Sequence, residues 1–273
     1  MEVDLEYEKT TALDAETFKK IQPKEYLRRF LQQDTRPDGR AVSESRQINF
    51  NADPISKCVG SATVKSGNSM VICGIKAEIT TPDPLYPKQG YFIPNLDLPA
   101  MCNPRFKPGP PQQLTQSLSE QINQLFEKCN IFNKEQLAIE NGEVCWILYA
   151  DIVCLNYDGS VMDIALLALF SALKSLTLPL VEYIDGQVKQ VDGYRKLEID
   201  RVISSTTFCI FDDKLLLDPT DDEELEGSIL TVFVDHEGLF CGINTFDGHL
   251  SKDKLDECLL SAQQRATKLI KLI

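Results

Sequence analysis

The longest apolar stretch of the chain runs from Val161 to Leu173, and Asp163 is its single charged residue. A helix that is apolar around its whole circumference is stable only where other elements cover it on all sides. The stretch is too short to cross a bilayer, which needs roughly 20 apolar residues. It therefore predicts a buried helix over 161–176 that ends before Pro179, and no association with a membrane.

The composition is that of a globular chain with a large core. Its 273 residues, 43% of them hydrophobic, suit one large domain or two domains of about 100–150 residues each. The acidic N-terminus has no apolar segment, so we expect no signal peptide. The net charge of −13 argues against binding nucleic acid over the whole surface, and it favours basic partners or neighbours that supply the cations.

The nine cysteines are scattered, and no two of them have the CxxC spacing of a zinc or redox site. Most lie within apolar runs. We therefore interpret them as small buried side chains of a protein in a reducing compartment, and we predict neither a metal site nor a cofactor.

The first part of the chain shows strands followed by helices. Gly67-Asn68 is typical of a hairpin turn between two strands, and residues 81–111 form a long excursion rich in proline and glycine. The apolar spacing predicts helices over 23–31 and 112–130, and strands over 60–65, 70–77 and 144–155.

The second part repeats this order. Strands are predicted over 206–211, 214–217, 229–234 and 239–243, followed by a helix from about Ser251. Strands then helices, twice over, predict an α+β chain of two related halves whose helices pack on sheets. We divide the chain into a mobile acidic N-terminal arm at 1–20, a first half at 21–185 and a C-terminal half at 195–273.

The acidic run between two of these strands is the first candidate site. It contains Asp218, Asp221, Asp222, Glu223 and Glu224, which could bind Mg²⁺ through their oxygens. A solvated loop is the other interpretation, and the spacing alone favours it, because charge runs are usually solvated.

The basic residues form two groups. Arg28, Arg29, Arg36 and Arg40 cluster around one helix and one turn. Arg105 and Lys107 flank Phe106, and such a group can hold single-stranded RNA by phosphate contact and base stacking. The alternative is solvent-facing charge around a buried Phe106.

No motif for a nucleophile or for nucleotide phosphates accompanies these residues. His236 and His249 have no such motif nearby. The residues alone therefore predict an α+β protein and leave its function open.

The segment 23–40 resembles the start of the RNase PH-like ring subunits of the eukaryotic RNA exosome, and later motifs follow in the order of that family. The resemblance covers about residues 21–270. Its further motifs are Gly60-Ser61-Ala62, Gly67-Asn68, Asn95-Leu96-Asp97-Leu98-Pro99, Gly109-Pro110-Pro111, Asn156-Tyr157-Asp158-Gly159 and Asp218-Pro219-Thr220.

The resemblance implies the RNase PH-like fold, with duplicated ββαβα units, and a ring of six such chains around a pore. In active members, phosphate attacks the 3′-terminal phosphodiester of RNA. Arginines grip that phosphate, acidic residues support the reaction, and a metal ion is implicated.

This chain departs from the active pattern. Ala100 follows Leu98-Pro99 where active members carry arginine, and residues 109–126 contain no lysine or arginine. Asp218 matches an acidic position of the family, and Glu223 or Glu224 matches a second, whereas Gly227 or Ser228 replaces a third aspartate. Losing one catalytic electrostatic contact typically costs about 100–1000-fold in rate. We therefore predict a degenerate acidic site (Asp218, Glu223, Glu224), with no catalytic residue and no metal.

The resemblance thus implies a non-catalytic structural subunit that positions RNA and partner proteins for 3′-to-5′ processing and degradation, including rRNA maturation and mRNA turnover. Its implied partners are five other RNase PH-like ring subunits, three RNA-binding cap proteins, an associated hydrolytic exoribonuclease and single-stranded RNA. The implied location is the nucleus, nucleolus and cytoplasm. Two alternatives stay open. One is an active phosphorolytic 3′-to-5′ exoribonuclease completed by a neighbouring subunit, and the other is an independent AU-rich RNA-binding module.

Overall fold

The computed structural model of the chain describes residues 17–184, 186–246 and 251–272. Most of the expected N-terminal arm lies outside these ranges, but residues 17–21, where the arm was expected to end, form a helical turn. No helix among the described residues is both long and apolar enough to cross a membrane. All nine cysteines are free thiols, and all but Cys58 and Cys241 are buried, as predicted.

The longer helices lie close to their predicted positions. Leu27 and Leu31 form the buried face of the first, which begins at Pro23, where a proline fits a helix start. The helices are α1 (Pro23–Leu31), α2 (Gln113–Lys128), α3 (Val161–Ser175), α4 (Asp221–Glu226) and α5 (Lys252–Leu269), with a 3₁₀ turn at Lys134–Leu137.

The strands form three sheets. The largest has the order β1-β2-β3-β6-β4 with β5 paired to β6, and the second has the order β10-β9-β11-β12. Within the described ranges, β7 pairs only with β8. The strands are β1 (Ile48–Ala52), β2 (Gly60–Ser66), β3 (Ser69–Thr80), β4 (Tyr91–Asp97), β5 (Ala138–Glu140), β6 (Val144–Asn156), β7 (Thr177–Ile184), β8 (Gln187–Lys196), β9 (Ile203–Phe211), β10 (Lys214–Leu217), β11 (Ser228–Asp235) and β12 (Phe240–Phe246).

The predicted hairpin is confirmed. Strands β2 and β3 pair antiparallel and are joined at Gly67, whose φ of +57° suits glycine. The expected excursion over 81–111 is only partly a loop, because it contains β4, which runs parallel to β6 at the sheet edge. Pro94 lies within β4, where an edge strand tolerates the missing N–H group.

The apolar helix α3 lies between the two large sheets. It packs against β2, β3 and β6 on one side and against β9 of the second sheet on another, and nearly all of its residues are buried. This confirms the predicted buried helix. Both halves contain the order strand, strand, helix, strand, helix, as the α+β prediction requires. These series are β2, β3, α2, β6 and α3, and then β9, β10, α4, β11 and α5.

The hairpin of β7 and β8 was not predicted. It follows α3 directly, and its strands are not paired with either large sheet, although Leu178 and Val181 pack against the main core. Its side chains are mostly exposed, including Leu180, Ile184, Val191 and Tyr194.

Asp163, in the first turn of α3, ties the two halves together. Its side chain is only 1% exposed, and its carboxylate accepts hydrogen bonds from the Ser205 hydroxyl at 2.9 Å and from the Thr207 hydroxyl and backbone N–H at 2.8 and 3.1 Å. Arg265 of α5 completes the set, with Nη1 at 2.5 Å from Oδ2. The one charge of the apolar stretch is therefore neutralised by the second half of the chain.

We expect Asp163→Ala to lower the free energy of unfolding by about 3–5 kcal/mol, because it leaves the buried guanidinium of Arg265 without a counterion. Urea unfolding followed by circular dichroism measures the change. Asp151→Ala, at an exposed position of β6, is the control and should lie within about 0.5 kcal/mol of the parent. Equal midpoints for the two variants would contradict this role of Asp163.

Candidate functional site

The acidic run is folded and partly buried, so the expectation of a solvated loop is wrong. Residues 221–226 form the short helix α4, and the Glu223 carboxylate accepts a hydrogen bond from the backbone N–H of Thr220 at 2.8 Å, as in a capping box. Asp218 and Glu223 are 1% and 2% exposed. Buried carboxylates require counterions, and arginines from distant parts of the chain provide them.

Arg36 is the counterion of Glu223. Its guanidinium is completely buried and holds both carboxylate oxygens, with Nε at 2.9 Å from Oε1 and Nη2 paired with Oε2. It also donates to the backbone carbonyls of Leu217 and Asp218, at 2.7 and 3.0 Å. Arg36 therefore does not belong to a solvent-facing basic cluster with Arg28, which forms exposed ion pairs with Glu25 and Asp212.

Arg46 is the counterion of Asp218, and sequence reasoning missed it. Its Nη2 lies 2.6 Å from Oδ1, and its Nε and backbone N–H lie 3.1 and 2.8 Å from Oδ2. Burial by itself would raise the pKa of Asp218, but the hydrogen bonds and charge of Arg46 hold that pKa well below its usual range. Arg46 also donates to the carbonyl of Asp158 at 2.6 Å. No spacing signal links residues 46 and 218, because the fold alone brings them together.

Arg105 pairs with two further carboxylates of the site, whereas the fifth, that of Asp222, is exposed and pairs with Lys19. Its Nη1 donates to Asp221, its Nη2 lies 3.9 Å from Glu224, and the guanidinium packs 4.3 Å from the ring centre of Tyr157. Glu224 also accepts hydrogen bonds from the Tyr157 hydroxyl at 2.6 Å and the Ser160 N–H at 2.7 Å. Burial nevertheless raises the pKa of Glu224 to about 7.

A cavity of about 220 Å³ opens beside Arg105 and Glu224. Arg105 is the one cationic side chain among the described residues that line it. The remaining lining residues are Leu114, Leu118, Tyr157, Ser160, Val161, Met162, Thr207, Ile229 and Thr231. Two leucines of α2 thus form part of the wall.

The carboxylates of this site do not fit a divalent metal ion. Each buried carboxylate is already bound by a guanidinium, so Asp218 and Glu223 are directed to different arginines instead of converging. No group of three or more metal-ligating side chains suited to an ion occurs within the described ranges.

The other predicted residues lie outside this cluster. Lys107 is exposed two residues beyond Arg105. Phe106 between them is buried, as the alternative to RNA binding predicted. Ala100 lies in the turn after β4. His236 is exposed in the turn before β12, and His249 lies outside the described residues.

Both parts of the chain match models of the 3′ exoribonuclease family. Domain 1 (RNase PH) matches residues 44–179, and domain 2 (RNase PH, C-terminal) matches residues 201–265. A relative, the exosome complex component rrp43 of Schizosaccharomyces pombe, is 40% identical over 91% of this chain and 94% of its own length.

Archaeal proteins are also similar to the chain. Exosome complex component Rrp42 of Methanothermobacter thermautotrophicus is 31% identical over 87% of this chain and 89% of its own length. A chain in the structure of the Archaeoglobus fulgidus exosome with RNA bound to the active site superposes with a TM-score of 0.82. It is 30% identical, and the match covers 91% of this chain and 96% of that one.

We expect the titration of Glu224 to lower the free energy of unfolding as pH rises. The pKa of Glu224, about 7 in the folded chain, exceeds the ordinary value of 4.5, so the folded chain holds the extra proton between these values. The contribution of this proton to the free energy of unfolding is complete below about pH 4.5, and it is lost as pH rises through about 7.

Glu224→Gln removes this titration. The free energy of unfolding of the variant, minus that of the parent, should therefore rise by roughly 1–3 kcal/mol between pH 5 and pH 8 in urea unfolding. Glu78→Gln, at an exposed position of β3, is the control and should show no such trend. A difference for Glu224→Gln that stays constant with pH would contradict the raised pKa.

Proposed function

We propose that this chain, which belongs to the RNase PH family of 3′ exoribonucleases, is a structural subunit of the exosome ring that does not itself cleave RNA. The observation that carries the proposal is the neutralised state of Arg105. Among the described residues that line the cavity, Arg105 is the one cation, and it is already held by Asp221 and Glu224.

Phosphorolysis needs uncompensated positive charge, because both inorganic phosphate and the RNA end are anions. Here one guanidinium faces two carboxylates, of which Glu224 has a pKa of about 7. An incoming phosphate would have to displace these carboxylates from Arg105 and leave them buried without a counterion. That exchange is unfavourable, so the cavity opposes phosphate binding.

The wall of the cavity supports the same proposal. The family resemblance implies cations after Leu98-Pro99 and on the following helix. In this chain the first position is Ala100, and the helix α2 presents Leu114 and Leu118 to the cavity. Apolar side chains cannot offset the charge of a phosphate.

In this role the chain closes the ring and positions RNA and partner proteins for 3′-to-5′ processing and degradation, including rRNA maturation and mRNA turnover. The partners that we propose are five other RNase PH-like subunits, three RNA-binding cap proteins and a hydrolytic exoribonuclease that supplies the activity. We place the assembly in the nucleus, nucleolus and cytoplasm. The exosome components and the RNA-bound exosome to which the chain is similar support the assembly and its RNA substrate.

We expect no phosphorolysis by this chain. The assembled ring, freed of its hydrolytic partner, is incubated with single-stranded RNA and inorganic phosphate, and nucleoside diphosphates are measured. Glu224→Gln should leave the background unchanged. This variant keeps the shape of the side chain, whereas a change at Asp218 removes a buried counterion. Diphosphate release that Glu224→Gln abolishes in an intact ring would favour an active enzyme completed by a neighbour.

Arg105 and Lys107 remain our candidate RNA contacts. Lys107 is exposed, whereas Arg105 is held by Asp221, so Lys107→Ala should weaken binding of single-stranded RNA to the ring more than Arg105→Ala does. Loss of a phosphate contact should lower the slope of log affinity against log salt by about one. Fluorescence anisotropy at several salt concentrations measures this, with the exposed Lys76→Ala as control. Tight binding of AU-rich RNA by the isolated chain would favour the independent module.

A further inference from the structure

Arg195 in β8 differs from every other arginine of the chain. The chain has nine arginines, and Arg195 is the one whose side chain makes no ion pair or hydrogen bond within the described residues. The other eight all lie within 4 Å of a carboxylate. These are Arg28, Arg29, Arg36, Arg40, Arg46, Arg105, Arg201 and Arg265.

Arg195 is not a freely hydrated surface arginine. It is half-buried and lies opposite Leu178 of β7, whose side chain is almost completely buried. The loss of water lowers the pKa of Arg195, and no carboxylate offsets this effect. A guanidinium that is partly removed from water and has no internal carboxylate is a favourable partner for an anion from outside the chain.

A pocket of about 260 Å³ receives this side chain. It is lined by Gln136, Leu178, Arg195, Lys196, Leu197 and Glu198. The amide of Gln136 is already occupied, because it exchanges hydrogen bonds of 3.1 and 2.9 Å with the backbone of Glu198. Two cations and one exposed carboxylate therefore remain, over a floor of two buried leucines.

We infer that this pocket binds the carboxylate of an aspartate or glutamate side chain from a neighbouring protein subunit. A guanidinium fork matches the two oxygens of a carboxylate, and the leucine floor accepts the methylene groups of such a side chain. The inference rests on the proposed ring assembly, which supplies the neighbour.

The geometry of β8 favours a protein over RNA as the occupant. Tyr194 is an exposed aromatic residue of β8, but it does not line the pocket, whereas Lys196 at the end of the strand does. A base stacked on Tyr194 would therefore lie outside the pocket. The exposed Leu180, Ile184 and Val191 on the same hairpin are typical of a protein contact.

Zero-length crosslinking of the assembled ring tests this inference. A carbodiimide joins an amine directly to a carboxylate, so it should link Lys196 to an aspartate or glutamate of a neighbouring subunit, as identified by mass spectrometry. Arg195→Glu should reduce this crosslink by about tenfold or more, because it replaces the attraction with repulsion. Lys189→Glu, at an exposed position of β8 outside the pocket, is the matched control and should leave the crosslink unchanged.

Native mass spectrometry of the same sample separates the two proposals. Failure of the ring to form contradicts the proposed function. An intact ring without a Lys196 crosslink to a neighbour overturns the carboxylate pocket and leaves the ring assignment intact. A crosslink from Lys196 to residues 1–16 of the same chain, or a photo-crosslink from β8 to bound RNA, also overturns it.

Discussion

Buried pairs of arginine and carboxylate determine how the two halves of this chain fit together. Asp163 of α3 meets Arg265 of α5, and Asp218 after β10 meets Arg46 from the segment before β1. Each pair joins residues more than 100 positions apart. Breaking a buried pair leaves one charge without water or counterion, so these contacts allow little variation in the docking of the halves.

The same pairs limit the chemistry of the site. A carboxylate that neutralises a structural arginine is no longer free to bind a metal ion, and an arginine held by two carboxylates is no longer free to bind phosphate. The positive charges of Arg36, Arg46 and Arg105 are thus already neutralised by carboxylates of the same chain. A phosphorolytic site would need such charges to be free. In the structural role that we propose for this chain, the family scaffold is kept and these charged groups contribute to stability.

Local sequence patterns predicted those elements whose structure depends mainly on residues nearby in the chain. The all-round apolar α3, the Gly67 hairpin and the amphipathic α1, α2 and α5 all follow from spacing and turn residues. Long-range pairing explains the failures. The proline in β4 argues against a strand, and β4 forms because β6 offers a partner for parallel pairing. The hairpin partner β8 has few apolar positions. The roles of Arg36 and Arg46 could not be predicted, because their partners lie 187 and 172 residues away.

The position of α3 between the two sheets also has a consequence for synthesis on the ribosome. One side of the helix is covered by β2 and β3, which precede it in the chain. Another side is covered only by β9, which is synthesised later. About 35 residues separate the end of α3 from the end of β9, and translation proceeds at roughly 5–20 residues per second. An apolar helical face is therefore uncovered on the nascent chain for some seconds, and such a face is the kind of surface that chaperones protect until the second half emerges.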